Sequence, residues 1–311
     1  MSKNQLVSVV IPTYNSAQYL SEAVDSVLRQ SYSDFEIIIV DDASTDITGE
    51  LLNKYLNNQK VSVMRLDICS GPAAARNAGL NMSKGDIIAF LDADDVWLPE
   101  KLDRQVQALK KDPESGWAYC NGLVVDQNLK KMYYITERWN QTEGMIYEDI
   151  LLKSLWVPIS SVVIKREVFT HCGPFDPDLR TVEDLDLFLR IARNYKCTYL
   201  KDPLFNYRVH NSNLSRIEER MEVGRLKVLD KLIDLHPEYE SELRHIHHRS
   251  VGIGMLWMRE RKRARMHFLK AAYYRRGDYK VWAGLVLAIM PSPVLDMIIK
   301  TKKRYIKRPL F

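Results

Sequence analysis

Long apolar runs are scarce in this chain. Val281 to Met290 is a continuous apolar decapeptide, and a helix that crosses a bilayer needs about 20 such residues. Four cysteines, Cys69, Cys120, Cys172 and Cys197, are scattered with no C-x-x-C pair. That excludes a zinc ribbon or a disulfide framework and fits a reducing compartment. No charged-then-apolar leader opens the chain, so nothing there points to secretion. No G-x-G-x-x-G follows the first apolar segment and no G-x-x-x-x-G-K-[ST] occurs anywhere. The dinucleotide fingerprint and the phosphate-cradling glycine loop are therefore both missing. Internal repeats and low-complexity segments are absent as well.

What is present begins with charge. The net charge of +5 hides an asymmetry: residues 244–311 hold 17 Lys/Arg against 3 Asp/Glu, a balance of +14, while residues 1–243 carry −9. A basic tail on an acidic body implies a polyanionic partner for the tail, membrane or nucleic acid. No nucleic-acid motif accompanies it. The 311 residues, 46% hydrophobic, suffice for one large domain and an appendage.

The chain centres on Ile87 to Leu98, IIAFLDADDVWL. Ile87 to Leu91 reads as a short buried strand. It ends in Asp92, Asp94 and Asp95, three carboxylates that repel unless a cation sits among them. A hard divalent cation suits such oxygen ligands. An acidic turn capping the helix near Pro99 needs only one of them, such as Asp95.

Similar strands precede it. Leu6 to Ile11 runs into Pro12, which is expected to end the strand because it lacks a donor. A helix follows over 16–30. Phe35 to Val40 ends in Asp41-Asp42, and Ser44-Thr45-Asp46 caps a helix toward Leu56. Val61 to Leu66 is a third strand, and a third helix opens after Gly71-Pro72. This alternation predicts an α/β fold with right-handed crossovers and a mostly parallel, helix-covered sheet. Ligands then sit beyond the strands' carboxyl ends, where Pro12-Thr13-Tyr14-Asn15, Asp41-Asp42 and the Asp92 cluster converge.

Beyond the helix to Lys111 the pattern changes. Trp117 to Val125 and Lys131 to Thr136 read as antiparallel strands, Ser160 to Ile164 as another. A short helix from Arg166 closes at Gly173. Glu183-Asp184 opens a helix, where acids also serve the helix dipole. Cys197 to Leu200 and Leu204 to Val209 read as two closing strands, and from Arg216 all is helical.

Together these segments resemble family 2 glycosyltransferases of the inverting, GT-A type, over residues 5–215. The likeness rests on VSVVIPTYN, FEIIIVDDASTD, GPAAARNAG, GDIIAFLDADD and VEDLDLFLR, in that order. It implies transfer of one sugar from a nucleotide-diphosphate sugar, with Mg²⁺ or Mn²⁺ and inversion at the anomeric centre. By the resemblance, Pro12, Thr13, Tyr14 and Asn15 line the base pocket, and Asp42 accepts from the base, most often uracil. Arg76 lies near the base or diphosphate. Asp92 contacts the ribose or sugar side and is a second candidate for the metal. Asp94 is the direct metal ligand, and Asp184 the general base. His210 matches a Tyr-Arg-x-His pattern and reaches the diphosphate or metal; a solvated loop histidine is the alternative. The Gln-x-x-Arg-Trp motif of the polymerising members is missing, which implies a single addition. Trp139 and Trp156 either stack on acceptor sugar or simply pack.

The residues expected of the chemistry are these without the analogy: a metal to stabilise the departing diphosphate and a distant carboxylate to take the hydroxyl proton. A sugar-phosphate nucleotidyltransferase would favour a basic, glycine-rich loop where Pro12 to Asn15 stand. A catalytically silent sugar-nucleotide or membrane module is the third reading. The expected layout is a catalytic domain of residues 1–215, with a nucleotide half of 1–112 and an acceptor half of 113–215, then a helical basic region of 216–311. That region is expected to lie on an anionic membrane surface, on the cytoplasmic inner face, beside a glycan or lipid-linked glycan acceptor of surface-glycan synthesis.

Overall fold

The computed structural model describes residues 5–153, 155–210, 218–295 and 297. The chain divides into two compact units: Met1–Tyr147 with Val157–Asn213, and Glu148–Trp156 with Leu214–Phe311. The boundary expected at 215/216, Ile298 and Ile299, and the bases Lys300 to Arg304 lie outside the described residues.

The first unit opens with β1 (Val7–Thr13), α1 (Leu20–Leu28), β2 (Phe35–Asp41), α2 (Thr48–Leu52), β3 (Val61–Arg65), α3 (Pro72–Met82) and β4 (Ile87–Phe90). These four strands pair in parallel in the order β3-β2-β1-β4. Val9, Ile37, Ile39 and Ile88 are fully buried, which is why these strands read as continuous apolar runs. Leu20, Ala23, Val24 and Val27 seat one face of α1.

The unit continues with β5 (Val96–Trp97), α4 (Lys101–Lys111), β6 (Ser115–Val125), β7 (Lys131–Tyr134), β8 (Val162–Lys165), α6 (Arg166–Cys172), α7 (Glu183–Asn194) and β9 (Lys196–Arg208); α5 (Tyr147–Lys153) falls almost wholly in the second unit. The sheet extends as β4-β8-β6-β9-β5, with β7 on β6. Here the pairs β4–β8, β6–β8, β6–β7 and β5–β9 are antiparallel, while β6–β9 is parallel.

Three expectations need correction. Pro12 does not end β1, which runs on to Thr13 opposite Asp41. Val10 faces β4, accepting from Leu91 N–H at 3.0 Å, so Pro12 faces that side too, where β4 has already left the ladder. No bond is lost by its missing donor. The two closing strands are one, β9, whose register against β6 slips around Asn121. Asn121 Nδ2 donates to Lys201 O at 3.2 Å and bridges the slip, so Pro203 sits at a bulge instead of a break. Finally, α1 begins at Leu20, not near residue 16.

The second unit contains α8 (Glu218–Leu235), α9 (Glu240–Trp257), α10 (Arg261–Tyr274) and α11 (Tyr279–Ile289). Phe268, fully buried, is the hub of its core with Val251, Met255, Val281 and Ala288. α11 crosses Phe268 at Gly284, where a Cβ would stand 2.4 Å from the ring; only glycine permits that approach. The apolar decapeptide thus turns Val281, Gly284 and Ala288 into the core of its own unit. No described helix is long and apolar enough to cross a membrane.

Candidate active site

Because β2, β1 and β4 are neighbours, their carboxyl ends share one edge of the sheet. Asp42 N–H donates to Thr13 O at 2.8 Å and binds the first two strand ends together. Asn15 stands at positive φ, 48°, which asparagine tolerates. Its Oδ1 accepts from Thr45 N–H (2.8 Å) and Asp46 N–H (3.2 Å), lacing the β1 loop to the β2 loop. Thr13 is buried, Pro12 is half-buried, and Tyr14 is exposed.

The Asp42 carboxylate reaches across to the start of α3. It accepts from Ser70 N–H and Gly71 N–H, both at 2.7 Å. Gly71 has φ +92°, a conformation that glycine adopts without strain and that leads directly into Pro72 at the first turn of α3.

At the end of β4, one ligand oxygen from each of Asp92, Asp94 and Asp95 lies within 4.8 Å of the others. The three differ in what holds them. Asp95 is buried and accepts from Arg208 N–H at 2.9 Å. It gives α4 no cap hydrogen bond, so the turn-capping reading is not realised. The Asp92 and Asp94 side chains keep 32% and 26% of their exposure, which leaves these two as the accessible ligands. Burial first, then Asp94 and Asp92, pushes the Asp95 carboxyl well above its ordinary range. Burial raises Asp92 as well, against the pull of Arg76. Clustered carboxylates held this way favour a cation among them, and an all-oxygen set of accessible acids fits Mg²⁺ or Mn²⁺.

His210 joins this cluster from 116 residues away: its Nε2 lies 2.9 Å from Asp94 Oδ2. Its ring packs against Tyr19 with centroids 4.7 Å apart, and the side chain is 9% exposed, so it is not a solvated loop histidine. Arg208, two residues earlier, organises the neighbourhood. It donates through Nε to Asp94 O (2.7 Å) and through Nη1 to Gln127 O (2.8 Å), pairs with Glu22, and lies over Tyr19.

Arg76 on α3 is the second organiser. Its buried guanidinium pairs with Asp92 at 2.7 Å and, through Nη1, with Glu183. That bridge, between residues 107 apart in the chain, draws the start of α7 onto the end of β4. α7 begins after Val182, at φ +56°, and has no side-chain cap. Glu183 is spent on Arg76, whereas Asp184 accepts from its neighbour, Leu185 N–H, at 2.8 Å, its one hydrogen bond among the described residues. Burial first, then the Glu183 charge, lifts the Asp184 carboxyl to about 7. A carboxylate of that basicity can take a proton near neutral pH.

Of the residues expected from the sequence, Asp92, Asp94, Arg76, Asp184 and His210 come together here, while Asp42, Thr13 and Asn15 knit the adjoining loops. Trp139 and Trp156 are each only 9% exposed, so both pack instead of offering a stacking face. The sequence reading missed Arg208, Glu22, Tyr19 and Ser160, whose Oγ accepts from Asp92 N–H at 3.1 Å. Arg208 stood inside the Tyr-Arg-x-His pattern, and that was the available signal.

This arrangement is that of a GT-A sugar-nucleotide transferase, and the chain belongs to glycosyl transferase family 2, whose model matches residues 8–170. The chain is 33% identical to the putative teichuronic acid biosynthesis glycosyltransferase TuaG of Bacillus subtilis, over 68% of this chain and 81% of that one. It is 32% identical to WfaP of Escherichia coli, a UDP-Glc:α-D-GlcNAc-diphosphoundecaprenol β-1,3-glucosyltransferase, over 68% of this chain and 80% of that one. The mannosyltransferase PcManGT of Pyrobaculum calidifontis, solved with GDP-Man and Mn²⁺, shares the fold with a TM-score of 0.61 at 19% identity, covering 98% of this chain and 88% of that chain.

Proposed function

We propose that this glycosyltransferase moves one sugar from a nucleoside-diphosphate sugar, a UDP-sugar first among them, to a hydroxyl of a lipid-linked glycan, with inversion. The observation that carries this reading is the Arg76 bridge, which places the Glu183-Asp184 pair beside the Asp92–Asp94 cluster. Two carboxylate groups with separate tasks then face one crevice. Asp184 takes the proton of the acceptor hydroxyl. The oxygen attacks the anomeric carbon on the face opposite the diphosphate, and the bond from that carbon to the diphosphate oxygen breaks. A divalent cation held by Asp94 and Asp92 would supply Lewis-acid stabilisation of the departing charge. His210 orients Asp94, and Arg208 fixes the backbone beneath it. Arg76 holds the base at a set distance from the donor, which is what orientation contributes to rate.

Pro12 to Asn15 and Asp42 form the wall available to the nucleobase. The lipid-linked acceptor is supported by WfaP, whose acceptor is a diphosphoundecaprenol sugar. It is supported too by the +14 charge of residues 244–311, which suits a peripheral position on the inner face of the cytoplasmic membrane. The test is incubation with a panel of UDP- and GDP-sugars, Mn²⁺ and a diphosphoundecaprenol-linked acceptor. The expected product carries the opposite anomeric configuration to the donor. A product of retained configuration, or hydrolysis without transfer across the panel, overturns the reading.

A further inference from the structure

We propose that the outward faces of α10 and α11 form one docking surface for an anionic lipid bilayer. The proposal deepens the peripheral position given above and rests on it for its biological sense. α11 turns Val281, Gly284 and Ala288 inward onto Phe268. At complementary spacings, three, four and three residues apart, it leaves Tyr279, Trp282, Val286 and Ile289 exposed, at 74%, 47%, 48% and 63%. α10 repeats the pattern. Ala264, Phe268 and Ala271 are buried, while Met266, Leu269 and Tyr273 are exposed. Apolar rows on two consecutive helices are more than scattered surface residues.

The charges on the same helices decide the occupant. Lys262, Arg265, Lys270, Arg276 and Lys280 make no ion pair among the described residues. Between Arg261 and Leu295 the only acid is Asp278, and it is held by Arg249 (2.8 Å) and His245 (3.0 Å). Among the described residues, these two helices therefore show solvent apolar side chains and bases, and the one carboxylate without an ion pair is Glu260, at the N-cap of α10. α8 makes the contrast: its exposed Val223, Leu226 and Leu235 stand among Glu222, Asp230 and Asp234. A second copy of the chain would bring like charges together across such a face, which opposes association. An anionic headgroup layer complements the bases, and the acyl boundary takes the apolar row. Trp282 and Tyr279 carry the amphipathic rings that favour that depth. At 11 residues α11 lies in the interface and does not cross it.

The experiment is co-sedimentation of the full chain with vesicles of phosphatidylglycerol and phosphatidylcholine, or of phosphatidylcholine alone. Sedimentation velocity without lipid runs in parallel. The unaltered chain is expected to bind the anionic vesicles about tenfold more tightly than the neutral ones, with the difference lost in high salt. Val286→Ser with Ile289→Ser removes apolar surface outside the core, and Arg276→Glu with Lys280→Glu reverses charge. Each pair is expected to lower anionic-vesicle binding about tenfold, with unchanged helicity and unchanged transfer to a short, soluble acceptor. Equal binding to both vesicle types, equal binding by the variants, or a dimer that Val286→Ser with Ile289→Ser dissolves each overturns the proposal. Absence of transfer to any acceptor, with vesicle binding intact, counts against the catalytic reading alone.

Discussion

The two units treat buried charge in opposite ways. Around the end of β4 and the start of α7 the first unit gathers Asp92, Asp94, Asp95, Glu183 and Asp184, with the buried guanidinium of Arg76 bridging Asp92 and Glu183. Burial and mutual repulsion raise the Asp92, Asp95 and Asp184 carboxyls, Asp184 to about 7. In the second unit the ionisable groups of the interior are histidines. Burial, then His248 and His267, pushes His247 down to about 3; burial, then His267, pushes His248 to about 4. There the groups stay neutral and the positive charge is displaced to the surface. Clustered acids that outnumber their counter-charges are costly in a resting fold. Their concentration at one edge of the sheet is the ground for the proposed cation and donor site there.

The comparison is broken most directly at the acids. Asp94→Ala is expected to abolish metal-dependent donor binding with the fold intact, measured by calorimetry with nucleotide sugar and Mn²⁺. Tight Mn²⁺-dependent binding by that variant would show that the cation sits elsewhere. Next in size is Arg76→Met, which leaves Asp92 and the buried Glu183 without their partner. A loss of about 3–5 kcal/mol in urea unfolding is expected, and an unchanged midpoint would mean that the bridge holds nothing together.

Asp184→Asn should bind donor normally and lose transfer by about 10²-fold. If Asp184 is the base, the active form is the deprotonated one, and kcat/KM of the unaltered chain is expected to rise with pH and level off above about 7. A flat profile from pH 5 to 8 contradicts Asp184 as the base. The smallest effect belongs to the second unit. His247, His248 and His267 have pKa values below the unfolded value of about 6.5, so the folded state binds fewer protons. Stability of that unit is full above about 6.5 and declines as pH falls toward 4, by about 1.4 kcal/mol per pH unit for each histidine titrating only when unfolded. Chemical denaturation followed across that range checks the sign.

Much of the first unit was legible because its central strands are buried on both faces and end abruptly in acids: Ile87 to Phe90 before Asp92, Phe35 to Asp41 before Asp42. Periodicity reports burial, and these strands have it. Pro12 misled because the cost of a missing donor depends on which neighbour that donor would have faced. Only the sheet order supplies that. His210 was expected near the metal or diphosphate through a pattern of residues, not through physics, and its contact with Asp94 was not foreseen. The Arg76–Glu183 bridge was not legible at all, since nothing in either segment specifies a partner 107 residues away. In the second unit, Val281 to Met290 read as one apolar block, yet α11 is two-sided. Gly284 faces Phe268, and Val286 faces solvent.

The carboxylate cluster at the strand ends is expected to bind a nucleoside-diphosphate sugar through a divalent cation. The most direct measurement is isothermal calorimetry of the unaltered chain against a panel of UDP- and GDP-sugars, with Mn²⁺ and again with the metal chelated. The account predicts saturable binding of at least one donor with Mn²⁺ and at least tenfold weaker binding after chelation. Equal affinity in both conditions, or no donor bound in either, would contradict it.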